Sequence, residues 1–181
     1  MPDSTQLLVF IAAGWLLNLT PGPDVLYIVS SALRSGVRAG IVAALGIVSG
    51  CFVHVLAAAL GVGALLATSA TAFAVLKWVG AAYLLWMGVK LLLARGGSSV
   101  VPAVADRSST PTDLWRVYRQ GFLTNVLNPK VALFFLAFVP QFIAPDAANK
   151  TRAFIALGLV FNANGLLVNL GWAAMAAWMR H

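Results

Sequence analysis

Gly14-Trp15-Leu16-Leu17-Asn18-Leu19-Thr20-Pro21-Gly22-Pro23-Asp24 decides how this chain is read. Two prolines, a glycine and a carboxylate interrupt an apolar run. Each proline lacks a backbone N–H and disfavours helical geometry in the residue before it. A helix entering from the N-terminus should stop near Leu19, and Thr20 as N-cap with Pro21 at the first helical position predicts a restart. Downstream, Gly121-Phe122-Leu123-Thr124-Asn125-Val126-Leu127-Asn128-Pro129-Lys130 repeats the pattern. Aligning Gly14 with Gly121 sets Leu16 on Leu123 and Asn18 on Asn125 without a gap, and Asn128 before Pro129 offers the same cap and restart.

Around these breaks the chain is too apolar for a soluble domain: of 181 residues 61% are hydrophobic and 9% charged. Apolar spans run over about 7–30, 39–66, 73–93, 117–143 and 153–179, each near or above the roughly 20 residues that cross a bilayer. A bilayer tolerates non-helical backbone only where protein or a water-filled cavity satisfies it, so two matched breaks predict a built cavity. Between the breaks the chain reverses direction, as in the inverted repeats with discontinuous helices that recur in secondary transporters. The expected fold is all-α: a polytopic transmembrane helix bundle of five spans, with inverted three-helix repeats and broken helices in spans 1 and 4. It is read as a single integral membrane domain over 1–181, with repeat one at 1–94, a flexible inner loop at 95–114 rich in Gly, Ser and Pro, and a shortened second repeat at 115–181.

The net charge of +7 does not point to nucleic acid, because the basic residues sit at span ends. Arg34, Arg38, Lys90, Arg95, Arg107, Arg116, Arg119 and Arg180 fall on one side, and Lys77, Lys150 and Arg152 on the other, so the positive-inside rule puts the N-terminus outside. No basic residue precedes the first apolar run, so that span is read as retained and not as a signal peptide. The single cysteine, Cys51, allows no intrachain disulfide and no Cys/His metal cluster. No nucleotide-binding loop and no nucleophile-and-base or paired-carboxylate site appears, so neither an enzyme nor a cofactor is expected. The tryptophans and tyrosines near span ends read as interfacial anchors.

Each restart aims a helix N-terminus, which favours anions, toward the membrane centre. Asn18, Asn125 and Asn128 add amide donors and acceptors there. The alternative is a pair of packed proline kinks with asparagines bridging helices. Asp24 is the one carboxylate deep in a span, since Asp3, Asp106, Asp113 and Asp146 fall in ends or loops and the chain has no glutamate. Lys130 is its counterpart in span 4. Intramembrane charges mark ion or substrate paths, so Asp24 is a candidate carrier of a coupling proton, and a structural Asp24/Lys130 ion pair is the alternative. His54 follows Gly46 and Gly50 at successive steps of four residues on one helix face, suited to a proton relay or to a hydrogen bond within the bundle. In span five, Gly158, Gly165 and Gly171 with Asn162, Asn164 and Asn169 read first as packing and interhelical bonds, and Asn162 or Asn169 second as lining.

Asn18-x-x-Pro21-Gly22-Pro23-Asp24, the glycine-rich second span with His54, and Asn128-Pro129-Lys130 followed by Phe134-Phe135 and Phe138-x-Pro140-Gln141-Phe142 together resemble the LysE/RhtB family of bacterial amino-acid exporters over about 7–170. The resemblance implies a multi-pass carrier of the bacterial inner membrane that exports amino acids or their derivatives by exchange with protons. Its partners are then an amino-acid substrate, protons and the lipid bilayer, and a homo-oligomer is left open. The resemblance carries functional weight to Asn18, Pro21, Gly22, Pro23, Asp24, Asn128, Pro129 and Lys130. Joined to the reading of the residues, it makes Asn18, Thr20, Pro21, Gly22, Pro23, Asn125, Asn128 and Pro129 the candidates for substrate binding, and Asp24, Lys130 and His54 those for ion coupling. Family members usually have six hydrophobic segments, so a non-transporting membrane component or a truncated inactive carrier is the alternative function.

Overall fold

The computed structural model describes residues 3–68, 70–93, 112–144 and 147–180, which among themselves are helical with no strand. Helix α1 spans Ser4–Leu19, opened by Asp3, whose carboxylate accepts from the Gln6 N–H at 2.7 Å in a capping box. Helix α2 runs Pro23–Ser35 and ends at Gly36, whose φ of 86° turns the chain sharply into α3, Val37–Thr68. Helix α4 covers Ala70–Leu93. Asp113 caps α5, Leu114–Val126, and Asn128 caps the short α6, Pro129–Leu133, which continues as a wider π turn over Phe134–Phe138 and a 3₁₀ turn over Val139–Phe142. Asn149 caps the long α7, Lys150–Trp178. The inner loop expected over 95–114 lies outside the described residues except at its end, where Leu114 already belongs to α5.

The two breaks are real bends: α1 meets α2 at 52°, and α5 meets the helix that begins at Pro129 at 46°. By length and apolarity α3 over Val37–Gly61 and α7 can each cross a membrane, as can each bent pair taken together. In α4 the apolar stretch found among the described residues, Ala74–Trp86, is shorter than a full crossing.

The first restart differs in register from the sequence expectation. Thr20 closes α1 instead of capping α2, and its hydroxyl donates to the Leu16 carbonyl at 2.6 Å. Gly22 is the N-cap and Pro23 the first helical residue. Thr20 and Gly22 each precede a proline and are both extended, so two successive restrictions hold the chain out of the helix until Pro23.

Close backbone contacts set the directions of the helices. A methyl at Gly46 would collide with the Tyr118 carbonyl oxygen, and one at Gly50 would lie 2.5 Å from that of Phe122, so α3 and α5 run parallel with their backbones nearly touching. Gly158 faces Val55 and Gly40 faces Ala173, which makes α7 antiparallel to α3. Gly14 faces Phe161 and Gly165 faces Asn18, so α1 and α7 are parallel. The broken pairs consequently point in opposite directions, and Arg34, Arg38, Arg116, Arg119 and Arg180 gather at one end of the bundle. Lys150 and Arg152 sit at the other, where Thr151 donates to the Ala59 carbonyl at 3.4 Å.

Two apolar clusters fill the interior. The larger carries Phe10, Phe134, Phe135, Phe154 and Phe161, with the Phe134 and Phe161 rings 4.7 Å apart. The smaller, toward the arginine-rich end, joins Ile28, Ala43, Ala44, Ile47 and Ala173. The polar groups of the breaks lie between them.

Candidate functional site

Proline at position i deprives the carbonyl at i−4 of its helical donor. Pro21 frees the Leu17 carbonyl in this way, and Lys130 reaches across from α6 to serve it: its Nζ donates to the Leu17 and Thr20 carbonyls, each at 2.9 Å. The ammonium thus sits at the C-terminal end of α1, where a helix favours positive charge. Pro129 frees the Asn125 carbonyl, which accepts from the Asn128 N–H and lies 2.9 Å from His54 Nε2. A carbonyl only accepts, so His54 Nε2 carries the proton. Each break is therefore mended by a side chain from another helix.

Asp24 stands in the first turn of α2, where its carboxylate suits the positive helix end. Asn125 Nδ2 donates to Asp24 Oδ2 at 2.8 Å, joining the two breaks directly. Asn128 Oδ1 accepts from the Lys130 N–H at 3.0 Å, leaving Asn128 Nδ2 facing the same carboxyl without closing a hydrogen bond. Asp24 and Lys130 do not pair: the lysine is committed to backbone carbonyls and the carboxylate to Asn125, which corrects the structural ion pair weighed as an alternative. Asp24 itself stands at the N-terminal end of α2, and the Asn128 side chain takes the Lys130 N–H at the start of α6.

A cavity of about 20 Å³ lies between the breaks, lined by Asn18, Asp24, Asn125 and Lys130 together with Asn162, Gly165 and Asn169 of α7. Its apolar wall is formed by Val25, Ile47, Val48, Cys51, Val131 and Phe161. Such a volume admits about one water molecule. Asp24, Asn125, Lys130, Asn162 and Asn169 are all buried. Asp24 Oδ1, Asn125 Oδ1, Asn18 Nδ2 and Asn162 Nδ2 have no hydrogen-bond partner, an arrangement that costs about 1–3 kcal/mol for each buried group.

Of the residues singled out in the sequence, Asn18, Asp24, Asn125 and Lys130 meet at this cavity. Gly22 stands against Lys130 Nζ, Asn128 and Pro129 shape the second break, and His54 supports it from α3. Thr20 lies off the cavity with its hydroxyl engaged, while Pro21 and Pro23 act on the backbone alone. Cys51 and Phe161 were not anticipated as lining. Cys51 stands one turn before His54 on α3, and only the approach of α7 to α1 brings Phe161 in.

The family model described as "LysE type translocator" matches residues 15–181. A homoserine/homoserine lactone efflux protein of Salmonella typhimurium is 28% identical over 175 residues, covering 94% of this chain and 82% of its own length. A leucine efflux protein of Enterobacter sp. is 31% identical over 150 residues, covering 82% and 68%. An uncharacterized membrane protein of Vibrio cholerae is 32% identical over 170 residues, covering 94% and 80%. No solved structure matches the chain.

Proposed function

Because the chain belongs to the LysE type translocator family, we propose that it is a secondary active transporter that exports amino acids or their derivatives across the bacterial inner membrane in exchange for protons. Membership of a translocator family makes it a carrier and not an enzyme. The observation that carries the reading is the pair of unpartnered acceptors, Asp24 Oδ1 and Asn125 Oδ1, buried between two oppositely directed breaks. Two unpartnered acceptors on residues that line one cavity suit an ammonium group. Lys130 has three N–H donors and spends two on carbonyls, so the third is assigned to the substrate carboxylate. The Asn128 amide is a further donor at the second break, and Thr20, Pro21, Gly22, Pro23 and Pro129 bind indirectly, by shaping the backbone that presents these groups. The cargoes named for the Salmonella and Enterobacter relatives, an amino acid with its lactone and a second amino acid, fall in the class this pairing recognises.

Asp24 is the group assigned to the coupling proton. A carboxylate that holds a proton no longer attracts an ammonium, so the two ligands compete for Asp24, and that competition couples their movements. His54 and Lys130 hold the breaks in the geometry this exchange needs. The cavity admits one water molecule in this conformation, so loading requires the two broken spans to part, opening first toward the arginine-rich end and then past the phenylalanine cluster. The gathering of five arginines at one end supports a cytoplasmic placement of that end and an external N-terminus.

The test is efflux of a labelled amino-acid panel from vesicles with and without a proton gradient. The unaltered chain should export at least one member faster with the gradient, and Asp24→Asn should insert at normal levels yet lose the response. Unchanged gradient-driven efflux in that variant removes Asp24 from the mechanism.

A further inference from the structure

We infer that the cavity contains a side-chain subsite, built by Asn18 of α1 with Asn162 and Asn169 of α7, that selects amino acids carrying a side-chain oxygen over aliphatic ones. The inference rests on the amino-acid reading above. Asn162, Gly165 and Asn169 recur at spacings of three and four residues, which puts them on one face of α7, and all three line the cavity. Asn162 and Asn169 are each only 5% exposed. A methyl at Gly165 would lie 3.5 Å from the Asn18 amide, so the glycine keeps α7 close to Asn18 and leaves the room between them free of side chain.

Asp24, Asn125 and Lys130, which suit the charged ends of a zwitterion, come from α2, α5 and α6. The amides of Asn18 and Asn162 come from α1 and α7, and their Nδ2 atoms are buried without a partner. A ligand whose charges engage Asp24, Asn125 and Lys130 leaves its side chain to the remaining polar lining of the same cavity. An aliphatic side chain there shuts out water and leaves the amides unpaired, whereas a hydroxyl donates and accepts and suits an amide in either orientation. A site built to hydrogen-bond a substrate oxygen rejects the analogue lacking it far more strongly than an apolar pocket discriminates between hydrocarbons.

Homoserine and norvaline differ at the side-chain end by a hydroxyl in place of a methyl, and their labelled forms are the probes in vesicle efflux. The unaltered chain should export homoserine about ten-fold faster or more, the ratio that one unmade buried hydrogen bond produces. Asn162→Leu should erase or reverse that preference while norvaline export persists, and Asn169→Leu should move it in the same direction if Asn162→Leu fails to insert. Equal export of both probes by the unaltered chain overturns the inference and leaves the transporter reading standing. So does an equal loss of both probes in a normally inserted Asn162→Leu, which would assign the amides to the groups common to all amino acids. No export of any panel member by the unaltered chain overturns both readings together.

Discussion

The Lys130 ammonium donates to the Leu17 carbonyl at 2.9 Å, in the place of the N–H that Pro21 lacks. His54 stands in the same relation to Asn125 and Pro129. Two prolines that would expose carbonyls inside a bilayer are tolerated because a side chain from another helix meets each one. The same bonds tie the breaks to their neighbours, so the charged and polar residues near Asp24 have a structural task beside any task in transport.

Replacing Lys130 with Met should leave the Leu17 and Thr20 carbonyls without this donor and cost about 1–3 kcal/mol. Pro21→Ala supplies a backbone N–H to the Leu17 carbonyl. The double variant should therefore lose less stability than the two single losses combined, with a coupling of about 1 kcal/mol. SDS titration of the four proteins in mixed micelles measures the cycle, and strictly additive losses would break the proposed link.

His54→Phe removes a side-chain donor from the Asn125 carbonyl, while the Asn128 N–H remains at 2.9 Å. Its cost should be about 0.5–1.5 kcal/mol, below that of Lys130→Met. His54→Gln restores a neutral donor and should recover most of the stability. Comparing efflux with stability in the same variant then separates the roles: a stable His54→Gln protein that has lost gradient-driven export assigns the ring a proton-handling part as well.

Gly46→Val should disrupt the bundle, because the first added carbon already meets the Tyr118 carbonyl oxygen and lies 3.0 Å from the Phe122 nitrogen. The parallel α3 and α5 would have to separate, at about 1–3 kcal/mol or more. Gly61→Val is the control on the same helix: nothing lies within 4 Å of a carbon added there, and the change should stay within about 0.5 kcal/mol. Equal yields of folded, inserted protein from both variants would contradict the close packing of α3 on α5.

The breaks at Pro21, Pro23 and Pro129 were legible because proline acts locally, through its ring and its missing N–H. The stop at Leu19 follows from that chemistry alone. The register of the first restart was not legible, since Thr20 is an ordinary N-cap residue and only the pair of extended pre-proline residues moves the helix start to Pro23. Asp24 and Lys130 were marked by their charge, with a mutual ion pair as the alternative to a proton-carrying Asp24. Whether they meet depends on which carbonyls the prolines free, and on which helix is near enough to answer them.

Sequence by itself determined an apolar, all-helical membrane chain, its two proline-broken segments and its deep carboxylate, because hydrophobic content and proline geometry are properties of a residue and its immediate neighbours. Only the tertiary structure decided that Lys130 serves Leu17, that His54 serves Asn125, and that Asn162 and Asn169 join Asn18 around the cavity. Those partners lie far apart in the chain. Which amide meets which carbonyl is set by helix direction and by the close backbone contacts at Gly46, Gly50 and Gly165.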